Sequence, residues 1–137
     1  MSAIIAGWAA GYAMAIATTI ALIFLLTRVS RTGWLDRFVA SEVSSALVAV
    51  PISIGAMLGW TMAGLVLGLF WIAGDFDTKA SGLGSPSWQF TLIMAVLALL
   101  PLPPLVLFVR RYWWLWASMS LLFAGLFGWV MPVLAVR

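Results

Sequence analysis

The chain has 137 residues, of which 65% are hydrophobic and only 8% charged; it carries a net charge of +3 and contains neither cysteine nor histidine. A soluble domain has about 25% charged residues, so this chain lacks the polar side chains needed to coat a globule, which excludes soluble enzymes, nucleic-acid binders and disordered tails. Without cysteine there is no disulfide or thiolate chemistry, and without histidine the usual haem, zinc or pigment ligand and the usual general base are missing.

A bilayer core about 30 Å thick is crossed by about 20 helical residues. The charged side chains fall at Arg28–Glu42, Asp75–Lys79, Arg110–Arg111 and Arg137, leaving uncharged stretches at about 3–27, 43–74, 87–109 and 112–136. Backbone groups in lipid must be satisfied internally, and the apolar runs are continuous where a barrel would alternate. The sequence therefore predicts an all-α fold, a single integral membrane bundle of four transmembrane helices spanning residues 1–137.

The first span is small on most of its surface. Ala3, Gly7, Gly11, Ala15 and Thr19 repeat every four residues, as do Ala9, Ala13, Ala17 and Ala21. The bulk gathers in a separate row, Ile4, Trp8, Tyr12, Ile16, Ile20 and Phe24. Small residues at this spacing let another helix backbone approach closely, with right-handed crossings of about −40° to −50°. Packing within the chain is the ordinary use of such rows; a homo-oligomer seam is the other. The run lacks the basic start of a signal peptide and is longer than its apolar core, so a retained span is expected.

Residues 28–42 form a loop expected to hold a short interfacial helix, with Trp34, Leu35, Phe38 and Val39 on one face. Ser41 is placed to cap the second span, with Glu42 in its first turn. That span has two smooth rows, Gly55–Gly59–Ala63 and Gly64–Gly68, and Pro51 is expected to bend it. Trp60, near mid-span, lies far from the headgroup level that tryptophan prefers. It is expected to face protein or a bound group and to donate its indole N–H to a hydroxyl or a freed carbonyl.

The loop at 75–86 is rich in Gly and Ser, and its two carboxylates, Asp75 and Asp77, are too few for a calcium site. Ser85 and Pro86 read as the N-cap and first residue of the third span. That span contains Pro101, Pro103 and Pro104, which strip three carbonyls of helical donors and force a break. A break in lipid is tolerated only where protein or water covers it, so these prolines are expected to mark a contact with a partner subunit or a bound lipid, the alternatives being a kink sealed by the bundle itself or water entering from the inner face. The fourth span carries a small step at Ala124 and Gly128, hydroxyls at Ser118 and Ser120, and Pro132 near its end.

Five of the seven basic residues, Arg28, Arg31, Arg37, Arg110 and Arg111, lie in the first and third loops. The positive-inside rule places those loops at the cytoplasmic membrane surface and both termini outside. Trp8, Trp71, Trp88 and Trp129 then fall near the outer surface, and Trp34, Trp113, Trp114 and Trp116 near the inner one. The expected location is a bacterial cytoplasmic (inner) membrane, in multi-pass form.

No ionisable residue lies inside a span, whereas proton relays and voltage sensors need them there. No nucleophile–base pair exists either, so no catalytic activity and no metal site are expected. Met14, Met57, Met62, Met94, Met119 and Met131 read as adaptable packing. Glycine rows, many aromatics and little extramembrane mass point to a non-catalytic accessory subunit of an electron-transfer, light-harvesting or transport assembly. A small oligomeric carrier or channel for a neutral solute or lipid is the alternative, and an enzyme of lipid metabolism is disfavoured for want of acid–base groups. The expected partners are other integral-membrane subunits and lipids, with no nucleic acid; a homo-oligomer stays open. No cofactor is predicted, though a lipid, quinone or pigment could bind without a histidine ligand. Gly7, Gly11, Gly55, Gly59, Gly64, Gly68 and Trp60 are the candidate contact residues beside the three prolines.

Overall fold

A computed structural model describes residues 2–29, 45–76, 87–100 and 112–136. Every described element is helical: α1 (Ala3–Val29), α2 (Ser45–Ala73), α3 (Trp88–Leu99), α4 (Trp113–Gly125), a π-helical stretch at Leu126–Val130, and α5 (Met131–Val136). Three helical runs, Ala3–Leu25, Ala49–Ala73 and Trp113–Val136, are long and apolar enough to cross a membrane, while Trp88–Leu99 is shorter. The loop helix expected in 28–42, the Ser41 cap, Asp77, and Pro101, Pro103 and Pro104 lie outside the described residues.

α1 is the hub, packed along the length of α2 and touching α4, the π-helical stretch and α5; α3 packs on α4 and the π-helical stretch. The row Ala3–Gly7–Gly11–Ala15 turns inward, whereas the second small row is split, with Ala21 buried and Ala13 exposed. Ala3, Ala6, Ala10, Met14 and Ala15 are buried, while the bulky Trp8, Tyr12, Ile16 and Ile20 face outward. Trp8 and Tyr12 stack on that outer face with ring centroids 6.0 Å apart. In lipid there is no hydrophobic drive to hide large apolar side chains, so close backbone approach decides which face turns inward.

α2 runs helically through Pro51, and the Ser53 hydroxyl donates to the Ala49 carbonyl at 2.7 Å. At its end Gly74 N–H bonds Phe70 O at 2.9 Å and Asp75 takes a left-handed φ of 51°. The reversal folds Phe76 back under the helix, where a Cβ on Gly74 would strike its ring. Phe76 thereby joins Trp71 and Phe90 in a buried cluster, with ring centroids 4.9 Å (Trp71–Phe90) and 5.3 Å (Phe76–Phe90) apart in edge-to-face contact. Edge-to-face pairs align the positive ring edge with the negative face.

The N-cap of α3 is Ser87, not Ser85: the Ser87 hydroxyl accepts from Phe90 N–H at 3.4 Å, and the helix starts at Trp88. Leu100 keeps helical angles (φ −59°, ψ −42°) although Pro101 follows, so helical backbone continues to the residue before the first proline.

The π-helical stretch has a local cause. Pro132 has no N–H, so the carbonyl four residues earlier, that of Gly128, loses its α-helical donor and would clash with the proline ring. The backbone widens by one residue, with Met131 N–H bonding Leu126 O. The Thr91 hydroxyl of α3 donates to Gly128 O at 2.6 Å. A Cβ on Gly128 would sit 3.3 Å from Met94 Cβ, so the glycine also permits the close packing of α3.

Candidate functional site

The predicted contact residues fall into three groups. The first is the α1–α2 crossing. A Cβ on Gly7 would collide with the Gly64 carbonyl oxygen, one on Gly11 with that of Trp60, and one on Gly64 with that of Gly7. A Cβ on Gly68 would lie 2.6 Å from Ala3 O and 2.9 Å from Ile4 Cα. The pairs 7–64, 11–60 and 3–68 run in opposite chain directions, so the helices are antiparallel with their backbones in contact. Such approach brings Cα–H groups onto facing carbonyls, a weak but recurrent interaction at helix crossings.

The second group is Gly55 and Gly59. They lie one face away from that seam, and a Cβ on either would meet nothing within 4 Å. Their neighbours Ile54, Leu58 and Met62 are exposed.

The third group surrounds Trp60. Its ring packs on Phe123 and Phe127, with centroids 5.9 Å and 6.3 Å away, and these two phenylalanines lie 5.0 Å from each other. Beside it is a cavity of about 200 Å³ to which every helix through α4 contributes: Met14 from α1, Trp60 from α2, Ala98 from α3, and Trp116, Ser120 and Phe123 from α4. Leu97 lines it as well, which places the cavity at the last turn of α3 before Pro101.

The hydroxyls in the spans divide sharply. Thr61 donates to Met57 O at 2.6 Å and Ser118 to Leu115 O at 2.8 Å, the back-bonding available to any helical hydroxyl. Thr18 Oγ1 and Trp116 Nε1, by contrast, are buried without a hydrogen-bond partner among the described residues. Trp116, expected at the inner surface as a headgroup anchor, instead turns its indole nitrogen into the protein. Trp71 is also drawn in, at 2% exposure, whereas Trp8, Trp88, Trp113, Trp114 and Trp129 stand exposed.

For Trp60, the expected contact with protein is present, but among the described residues no hydroxyl or carbonyl accepts its N–H. The Thr91–Gly128 bond was legible only through the four-residue step from Pro132 to Gly128, which names the orphaned carbonyl but not its donor. Arg28 lies in the last turn of α1, while Arg31, Arg37, Arg110 and Arg111 lie outside the described residues. Among the described residues no cluster of acidic side chains is placed to hold a metal.

Comparison of the chain with known families, with curated proteins and with solved structures returns no match.

Proposed function

We propose that the chain is a non-catalytic accessory subunit of a larger integral-membrane assembly (electron-transfer, light-harvesting or transport) and that it docks through the outer face of α2. The observation behind this reading is the contrast between the two glycine rows of α2. A glycine inside a helix costs about 1 kcal/mol relative to alanine. At Gly64 and Gly68 that cost is offset by the backbone of α1, but a Cβ on Gly55 or Gly59 would meet nothing within 4 Å among the described residues. A helix from another polypeptide, seated on that smooth row between Ile54, Leu58 and Met62, accounts for both. The same α2 window is the least buried of the three long apolar runs, at 17%.

The proposal includes four crossings, with the third completed through the proline stretch. It places Arg28, Arg31, Arg37, Arg110 and Arg111 at the cytoplasmic surface of a bacterial inner membrane and both termini outside. Ser30→Cys and Ser81→Cys test the orientation in a chain that has no other cysteine: an impermeant maleimide applied from outside labels the second and spares the first. The docking face is tested by the Gly55→Leu/Gly59→Leu double variant. It is expected to insert and fold normally but to lose its partner subunits in native mass spectrometry of gently solubilised membranes; partners retained in full refute the reading.

A second reading, a small oligomeric carrier for a neutral solute or lipid, is favoured by the cavity beside the last turn before Pro101. Replacing Pro101, Pro103 and Pro104 with alanine separates the two. Loss of co-purifying subunits supports the accessory role; loss of neutral-solute movement with assembly intact supports the carrier.

A further inference from the structure

We infer that the outer face of α1 pairs with the same face of a second copy of this chain, the Trp8 indole N–H of each copy donating to the Tyr12 hydroxyl of the other. The inference rests on the proposal that these helices cross a membrane, and is independent of the docking face on α2.

Helix register sets the depth of the two residues. The seam places Gly7 against Gly64 and Gly11 against Trp60, so Trp8 is level with Ala63 and Tyr12 with Gly59. Those positions bracket Thr61, the midpoint of the apolar run Ala49–Ala73. Counted along α1 itself, Tyr12 is two residues and Trp8 six residues from Met14, the midpoint of Ala3–Leu25. At about 1.5 Å per residue those offsets are about 3 Å and about 9 Å, inside a hydrocarbon layer whose half-thickness is about 15 Å. Both side chains are rooted deeper than the headgroup level that such rings prefer.

Both also face away from the bundle. Trp8 is 48% and Tyr12 39% exposed, and Ile16 and Ile20 continue the same outward row. The rings stack on each other, yet among the described residues neither the indole N–H nor the phenol hydroxyl has a hydrogen-bond partner. An unpaired polar group in hydrocarbon is strongly disfavoured.

The two polar groups select the occupant. An indole N–H only donates, while a phenol hydroxyl both donates and accepts; a lipid acyl chain offers neither. Two copies related by a two-fold axis along the membrane normal keep one orientation and present the same row at the same depth. Trp8 of one copy then lies a single helical turn, about 5.4 Å along the axis, from the hydroxyl-bearing residue of the other, within reach of a ring side chain. Each indole donor meets a phenol acceptor, and the contact closes on itself as an isologous pair. The bulky row repeats every four residues, the ridge that interlocks with its own copy at a crossing of about −50°.

The test uses the full chain in its membrane and exploits its lack of cysteine. Under mild oxidation Ile16→Cys is expected to give a disulfide-linked dimer, and Leu121→Cys, on an exposed face of α4, to stay monomeric. Energy transfer between labelled copies in mixed micelles then measures self-association. Tyr12→Phe keeps the ring and is expected to weaken it about tenfold, because two symmetry-related hydrogen bonds are lost. Trp8→Phe should cost the same, and the double variant no more than either, since all three remove the same bonds. Unchanged thermal unfolding of the dilute variants shows that the fold is intact. The inference is overturned if Leu121→Cys cross-links as readily as Ile16→Cys, or if Tyr12→Phe associates like the wild type. It is equally overturned if Ile16→Cys links only to a different polypeptide. Alkaline carbonate extraction separates the two failures: a chain retained in the membrane without dimers overturns the pairing alone, and a chain released overturns the membrane reading with it.

Discussion

The two sides of this bundle are built from opposite materials. Where α1 crosses α2, four glycines bring backbone against backbone, and nothing larger than a carbonyl separates the helices. Around α3 the space is filled by fully buried side chains, Phe90 against Trp71 and Phe76 at the end of α2 and Met94, Phe127 and Met131 in the same core, and the Thr91 hydroxyl ties α3 to Gly128 of the π-helical stretch. In lipid neither side is driven together by the hydrophobic effect, so association rests on dispersion and hydrogen bonding. The glycine side maximises contact by removing side chains; the aromatic side does so by interlocking them. The first tolerates no added atom, and the second tolerates no missing one.

That asymmetry is open to attack, most strongly at the glycine seam. Gly64→Val is expected to destabilise the protein by about 3 kcal/mol, the upper range for overpacking, because the obstacle is the Gly7 backbone and cannot rotate away. Reversible unfolding in mixed micelles reads the loss, and a tolerated valine would mean the helices separate easily. On the aromatic side Phe90→Ala is expected to cost about 2 kcal/mol; this is less than the value in a water-soluble core because only the packing share is lost. The same unfolding assay measures it.

A subtler break concerns the bond between α3 and the widened turn. Thr91→Val should cost about 1 kcal/mol, in the range of interhelical hydrogen bonds in membranes. In a Pro132→Ala background, residue 132 regains an N–H for Gly128 O, so the Thr91→Val cost should fall below half. A double-mutant cycle checks this, and equal costs in both backgrounds would detach Thr91 from the proline's effect. The smallest change is Gly59→Ala, expected to leave the isolated chain unchanged or to stabilise it by up to about 1 kcal/mol, since the new Cβ enters open space. Set beside Gly64→Val on the same helix, it isolates position from residue type.

Parts of this were legible beforehand. The four-residue rows at Gly7 and Gly11 mark the contact face of α1, because close approach requires missing side chains and only one row on that helix holds two glycines. The sequence of α2 offers two equally smooth rows, and nothing in their composition says that Gly64–Gly68 meets α1 while Gly55–Gly59 does not. Tryptophan positions report depth along the membrane normal but not direction around the helix, which is why Trp71 and Trp116 turn inward unannounced. The helix start moved from Ser85 to Ser87 because serines of equal capping propensity stand two residues apart, and the choice depends on which one reaches an N3 amide.

Composition and charge spacing determine that the described elements of this protein are helical. A chain this poor in charge yields three helical runs long and apolar enough to cross a membrane, and a backbone in lipid must be helical. Which faces meet is decided only in three dimensions. In water a helix announces its buried side by polarity, but here both sides of every span are apolar, so polarity carries no such information. The inside is instead selected by shape: glycine against backbone, ring against ring, and a hydroxyl on α3 for the carbonyl orphaned by Pro132. The cavity at Trp60 and Trp116 arises the same way, from four helices whose separations are set elsewhere, at the glycine seam and the aromatic cluster.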